Sequence, residues 1–150
     1  MYSRILVTLE NSPADAAILA HVRELATQLH STVVLIHVAD GWAARNASAL
    51  ELRESEEMRA DRAYLERCRA ELETAGIEAD ALLASGDPAT EIAAAAEREG
   101  VDLIAMATHG HRFLNDLVRG SVANGVRHRS RVPVLMVRSA PDLPGASTLH

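Results

Sequence analysis

Apolar positions along the chain fall into five short runs separated by longer stretches of helical spacing. Ile5-Leu6-Val7 opens the first run, which meets a turn at Glu10-Asn11-Ser12-Pro13. Ser12 suits a helix N-cap and Pro13 the first helical position, since a cap hydroxyl accepts an orphan amide and proline has no N–H to satisfy. Ala17, Leu19, Ala20, Val22, Ala26 and Leu29 then recur at helical spacing up to His30,. The second run, Thr32 to Val38, is mostly apolar and rich in β-branched residues. Continuous apolar character predicts a strand covered on both faces, as in parallel sheets.

Ser48 to Ala75 is charged and favours helix, with Leu50, Met58, Tyr64, Leu65, Cys68 and Leu72 as candidate inner positions. Its Glu, Asp and Arg residues read as the solvated face of that helix. Gly76 ends it, and Ile77 to Leu83 alternates as a strand near a sheet edge does,. Gly86-Asp87-Pro88 starts a further helix, Ala89 to Glu99, closed by Gly100. Val101 to Met106 is the fourth run, followed by a glycine-containing loop and a helix expected near Ser121 to Arg129. Val132 to Val137 is the fifth run. The tail from Ser139, with Pro141, Pro144 and Gly145, is expected to be flexible through residue 150,. The alternation predicts an α/β domain: a five-stranded parallel sheet with helices on both faces.

A chain of 150 residues is one domain's worth, with no internal repeat,. Aromatics make up only 3%, so the core must be built from Ala, Val, Leu, Ile and a few Met. All 15 basic residues are arginine. Without lysine, neither a Walker A phosphate contact nor a Schiff base is available. Cys68 is the one cysteine, which excludes an internal disulfide and a multi-cysteine zinc site,. The formal charge of −6 gives no net positive field for nucleic acid,. The first residues carry no basic segment followed by an apolar run, and no stretch approaches the ~20 apolar residues of a membrane span. A cytoplasmic protein, away from membranes, is the expectation.

Ligands of open α/β sheets bind beyond the carboxyl ends of the strands, where strand order reverses. That singles out Thr8 to Ser12, Val38 to Gly41 and Met106 to Ser121. In the last, Ala107-Thr108-His109-Gly110 is followed by nine residues and then Gly120-Ser121. Gly110 permits close backbone approach. A helix opening at Gly120-Ser121 would offer free amides and a positive dipole end to an anion, with the Ser121 hydroxyl beside them. Each glycine taken alone also fits an ordinary turn or helix start. Arg112 and Arg119 are the candidate side-chain cations. His109 could meet ribose or phosphate, or bond a loop carbonyl. His111 and His128 read as exposed or as supporting the residues that would touch a ligand, and His37 as a satisfied residue at a strand end. The seven histidines lack metal-ligand spacing,. No nucleophile elbow and no Gly-x-Gly-x-x-Gly turn is present. Arg127, His128, Arg129 and Arg131 fit a helix C-terminus, where cations complement the dipole.

The segment from Ala107 to Ser121 resembles the nucleotide-binding signature of the universal stress protein family: Gly, two residues, Gly, nine residues, Gly, then Ser or Thr. Arg4 through Ser12 resembles the family's opening strand and turn, Ile36-His37-Val38 its second-strand ending, and Arg131 through Arg138 its closing strand. The resemblance covers residues 1 to 138 and implies a Rossmann-like fold of the adenine nucleotide α-hydrolase-like type, strand order 3-2-1-4-5. It also implies an ATP site. Adenine would lie against Thr8, Leu9, Glu10 and the backbone of Val38. Ribose and phosphates would run along Met106, Ala107, His109 and Gly110, held by Gly120, Ser121 and Val122, with magnesium or manganese carried by the phosphates. Two positions depart from the pattern: Ala107 replaces the first glycine and Glu10 the usual Asp. The apolar fifth run, expected at a sheet edge, predicts a homodimer through Val132 to Val137. The family reading is a stress-response binding module, not an enzyme, with protein partners unidentified. The alternatives are a nucleotide-free interaction module and a slow ATP hydrolase.

Overall fold

The five apolar runs become the five strands of one sheet. The computed structural model describes residues 1–40, 47–108 and 113–139, with side chains described for 1–39, 56–108 and 121–139. In chain order the elements are β1 (Arg4–Thr8), α1 (Asp15–Leu29), β2 (Thr32–Asp40), α2 (Ala47–Thr74), β3 (Ala79–Gly86), α3 (Pro88–Arg98), β4 (Leu103–Thr108), α4 (Phe113–Arg129) and β5 (Val134–Arg138). The sheet order is β3-β2-β1-β4-β5 and every pairing is parallel. The chain winds outward from β1 through β2 to β3, crosses to β4 and ends at β5. The order therefore reverses between β1 and β4.

Period-two alternation in the strands divides the core between the two faces. Ile5, Val7, Val33 and Leu35 face α1 and α2, meeting Ile18, Val22, Leu65, Cys68 and Leu72. Leu6, Val34 and Ile36 face α3 and α4, meeting Ile92, Ala95, Ala96 and Val126. The central strands are apolar on both faces because both are covered. Tight ends help to set the register. Gly76 and Gly100 take φ of 89° and 65° after their helices, a region that costs glycine nothing,. Asp87 caps α3 by accepting the Thr90 N–H at 3.0 Å, with Pro88 at the first helical position.

Three expectations need correcting. Helix α1 starts at Asp15, not after Ser12. Ala14 takes the cap position without a side-chain bond, and the Ser12 hydroxyl accepts the Ala14 N–H instead. The Asp15 carboxylate gathers the preceding amides, so the turn tightens before the helix begins. Helix α4 starts at Phe113, which places Gly120 and Ser121 two turns inside it. Interior helix amides are bonded to carbonyls four residues back, so this site is no helix start with free N–H groups. Ser139, assigned to the flexible tail, is buried and donates to the Thr108 carbonyl from both its N–H and its hydroxyl, at 2.8 and 3.0 Å. The remainder of the expected tail, residues 140–150, lies outside the described residues.

Candidate functional site

A cleft of about 270 Å³ opens at the carboxyl ends of β1, β2 and β4, beside the reversal of strand order. Thr8, Leu9 and Glu10 form one side as β1 runs out into its turn. Ile36, His37 and Val38 come from β2, and Met106 and Ala107 from β4. Pro88 and Ile92 of α3 and Val122 of α4 close the far wall. The walls are chiefly apolar, with Thr8, Glu10 and His37 as the polar groups. That composition suits a flat apolar ring held by few directional contacts.

Thr8, Leu9, Glu10, Val38, Met106, Ala107 and Val122 were all expected in the site and are brought together here. Ser121 is exposed and lines no part of the cleft. His109 and Gly110, with His111 and Arg112, lie outside the described residues, as do the surroundings of Arg119 and Gly120. Ala107 is buried in the core cluster shared with α1 and α2, so the methyl that distinguishes it from glycine packs there. Pro88 and Ile92 were missed. They sit one helical turn apart at the start of α3, and the chain's return across the sheet could have pointed to that helix.

The turn after β1 is held by a polar cluster that the sequence pattern did not expose. Asp15 is 1% exposed. Its carboxylate accepts the N–H groups of Glu10 and Asn11 at 3.0 and 2.8 Å and the Tyr64 hydroxyl at 2.7 Å. Burial pushes the Asp15 carboxyl above its ordinary range, while the Tyr64 hydroxyl and the Asn11 and Ser12 amides pull against that rise. Burial and the same bond push the Tyr64 hydroxyl well up. Asn11 takes φ 63°, a left-handed conformation that asparagine tolerates, and its side chain donates to Asp61 at 3.1 Å,. His37 Nδ1 donates to the Leu9 carbonyl at 2.9 Å, and its Nε2 lies 3.3 Å from Asp61. His37 is thus a satisfied strand-end residue, as expected, and it also lines the cleft. Leu9 to Asn11 are braced from α1, β2 and α2 together.

The model of the universal stress protein family matches residues 1–138. The chain belongs to that family. Universal stress protein MJ0577 of Methanocaldococcus jannaschii is 32% identical to it, over 92% of this chain and 96% of that one. The solved MJ0577 structure superposes with a TM-score of 0.78 at 31% identity, over 95% of this chain and 99% of the other. A universal stress protein solved in complex with cAMP matches at TM-score 0.68 and 17% identity, over 93% of this chain and 98% of that one. The Archaeoglobus fulgidus universal stress protein in complex with dAMP matches at 0.63 and 19%, over 91% and 98%. At those identities the last two speak for the fold alone. The sheet order and flanking helices of this chain are the Rossmann-like α/β arrangement of the universal stress proteins. Among the described residues no group of three or more His, Cys, Asp or Glu could hold a metal ion, and no helix is long and apolar enough to cross a membrane.

Proposed function

We propose that this universal stress protein is a homodimeric binding module for ATP or a related adenine nucleotide, acting in a stress response by occupancy and not by turnover. The observation that carries the reading is the cleft at the strand-order reversal, where the ends of β1, β2 and β4 converge on one apolar slot. Two solved proteins of the same fold carry an adenine nucleotide, cAMP in one and dAMP in the other, so the fold accommodates this ligand class.

The residues present fit such a ligand. About 270 Å³ lies just below the ~300–1,000 Å³ of sites that enclose a drug-sized molecule. The cleft therefore takes base and sugar, and the phosphates emerge over the end of β4. Ile36, Val38, Ile92 and Val122 would flank the base, with Thr8 and Glu10 at its polar edge. Met106 and Ala107 would follow the ribose, and His109, Gly110 and Ser121 would meet the phosphates, with magnesium or manganese arriving on them. Gly120's amide lies within α4 and is bonded to the carbonyl four residues back, so it would reach a phosphate only where the helix before it opens,. The dimer forms through β5, an edge strand whose Met136 is 41% exposed,. A cytoplasmic location and unidentified protein partners complete the proposal.

Mass spectrometry of the supernatant from freshly purified, denatured protein tests the reading. Released ATP or another adenine nucleotide supports it. Absence of nucleotide, together with no thermal shift from added ATP and magnesium, overturns it in favour of a nucleotide-free interaction module. Val122→Trp, which fills the cleft from its rim, should abolish the shift while leaving the fold intact.

A further inference from the structure

In dinucleotide-binding α/β folds the turn after the first strand offers backbone N–H groups to a pyrophosphate at the start of the first helix. This chain has the corresponding turn, but its donors are already engaged. The Glu10 and Asn11 N–H groups lie 3.0 and 2.8 Å from the Asp15 carboxylate, and that of Ser12 lies 3.4 Å away. The Tyr64 hydroxyl supplies a further donor at 2.7 Å. The left-handed Asn11 turns the chain so that successive amides converge on one point, the geometry of an anion-binding nest,. The start of α1 adds the positive end of its dipole. Nearly full burial keeps solvent from competing for the carboxylate.

We propose that Asp15 is a built-in anion that sets the ligand class of the cleft. Its carboxylate takes the place of a phosphate in the β1–α1 turn, which commits the Glu10, Asn11 and Ser12 N–H groups and sets a negative charge among them. A second phosphate arriving there finds no hydrogen bonds and meets like charge. The cleft accordingly selects nucleotides whose phosphates leave toward β4 and rejects dinucleotides whose diphosphate would have to lie on the β1–α1 turn. Asp15 is a positioning residue in this role: it touches no ligand and shapes the turn that carries Glu10. The selectivity rests on the reading of the cleft as an adenine-nucleotide site, whereas the built-in anion does not.

The test uses the full chain with AMP, NAD, formate and chloride as probes. Wild-type protein should bind NAD at least ~10-fold more weakly than AMP, as like-charge exclusion requires. Asp15→Ala should melt about 5–10 °C lower, since buried donors lose their acceptor. Formate, which matches the missing carboxylate, should restore much of that loss, while chloride at the same ionic strength should not. Wild-type protein should show no response to formate. Equal binding of AMP and NAD overturns the selectivity. An Asp15→Ala protein as stable as wild type, or one that formate treats no differently from chloride, overturns the built-in anion. Should that variant fail to fold, hydrogen exchange in the ligand-free wild type decides: slow exchange at the Glu10, Asn11 and Ser12 amides supports the proposal and fast exchange overturns it. If AMP does not bind at all, the cleft reading fails and takes the selectivity with it. Formate rescue and amide exchange then still decide whether Asp15 is the anion of its turn.

Discussion

Gly125 on α4 faces Ala89 on α3 so closely that a Cβ at Gly125 would stand 2.6 Å from the Ala89 Cβ and 3.2 Å from Arg129 Nη1. Ala89 is buried beside Pro88 at the cleft, and Val122 precedes Gly125 by less than one turn of α4. The missing side chain thus lets two helices meet at the separation that shapes the far wall.

Gly125→Ala tests this contact. In an open helix the change would gain about 1 kcal/mol. Here the new methyl forces the helices apart, and overpacking of this kind costs about 1–3 kcal/mol. Urea unfolding should show a net loss of stability, and the paired variant Gly125→Ala with Ala89→Gly should recover most of it. Stability gained by the single variant would refute the close contact.

Tyr64→Phe removes one of the donors to the buried Asp15 carboxylate. A buried hydrogen bond to a charged group contributes about 1.5–3 kcal/mol. Chemical denaturation at neutral pH should register a loss of that order. The Asp15 carboxyl should also rise further, because the Tyr64 hydroxyl is among the groups holding it down. An NMR titration of the Asp15 carboxyl carbon in both proteins checks that shift.

Two carboxylates give acid stability opposite signs. Burial pushes the Asp102 carboxyl up, but the N–H groups of Arg4 and Ser3, at 3.0 and 2.9 Å, outweigh it and hold the group below its ordinary 3.8. Its stabilising contribution is present above that value and is lost as pH falls through the folded one. Asp15 lies above 3.8 in the folded state, so its contribution favours folding at low pH and is withdrawn as pH rises through its folded value,. Asp102→Asn should therefore be less stable than wild type at neutral pH, and the gap should close on acidification below about pH 4. A gap that persists unchanged to low pH would show that the charge of Asp102 is not what matters.

Met136 is 41% exposed on the edge strand β5, next to the half-buried Leu135. An apolar edge invites a second strand, and a charge placed there opposes pairing. If the protein pairs through β5 as proposed, wild type should sediment as a dimer at micromolar concentration and Met136→Arg as a monomer, with unchanged circular dichroism. A wild-type protein that sediments as a monomer would remove the dimer.

Legibility in the sequence followed the range of the interactions involved. Strands with two covered faces announced themselves as unbroken apolar runs, of which Val33 to Ile36 is the clearest. Helix ends set by local chemistry were legible as well, including Gly76, Gly100 and the Asp87-Pro88 start of α3. The start of α4 was not. Gly120-Ser121 has the local chemistry of a helix start, yet the helix begins at Phe113, because glycine and serine in a helix interior cost only about 1 kcal/mol or less each and neighbouring turns override them,. The β1 and β2 portions of the cleft were found because strand ends at an order reversal make a geometric prediction. Ile92 and Pro88 were not found, because they reach the site only through the packing of α3 across the sheet.

By itself the sequence determined the alternation of elements, the parallel sheet, the lysine-free chemistry and the residues at the strand ends, all of which follow from local periodicity and composition. The tertiary structure decided what those residues do together. It buried Asp15 under Tyr64, 49 positions away, and made one side chain the anion of its own turn. It also set α3 against α4 at Gly125. Both depend on distances between segments remote in sequence. Such distances come from filling a common core, which no local pattern encodes.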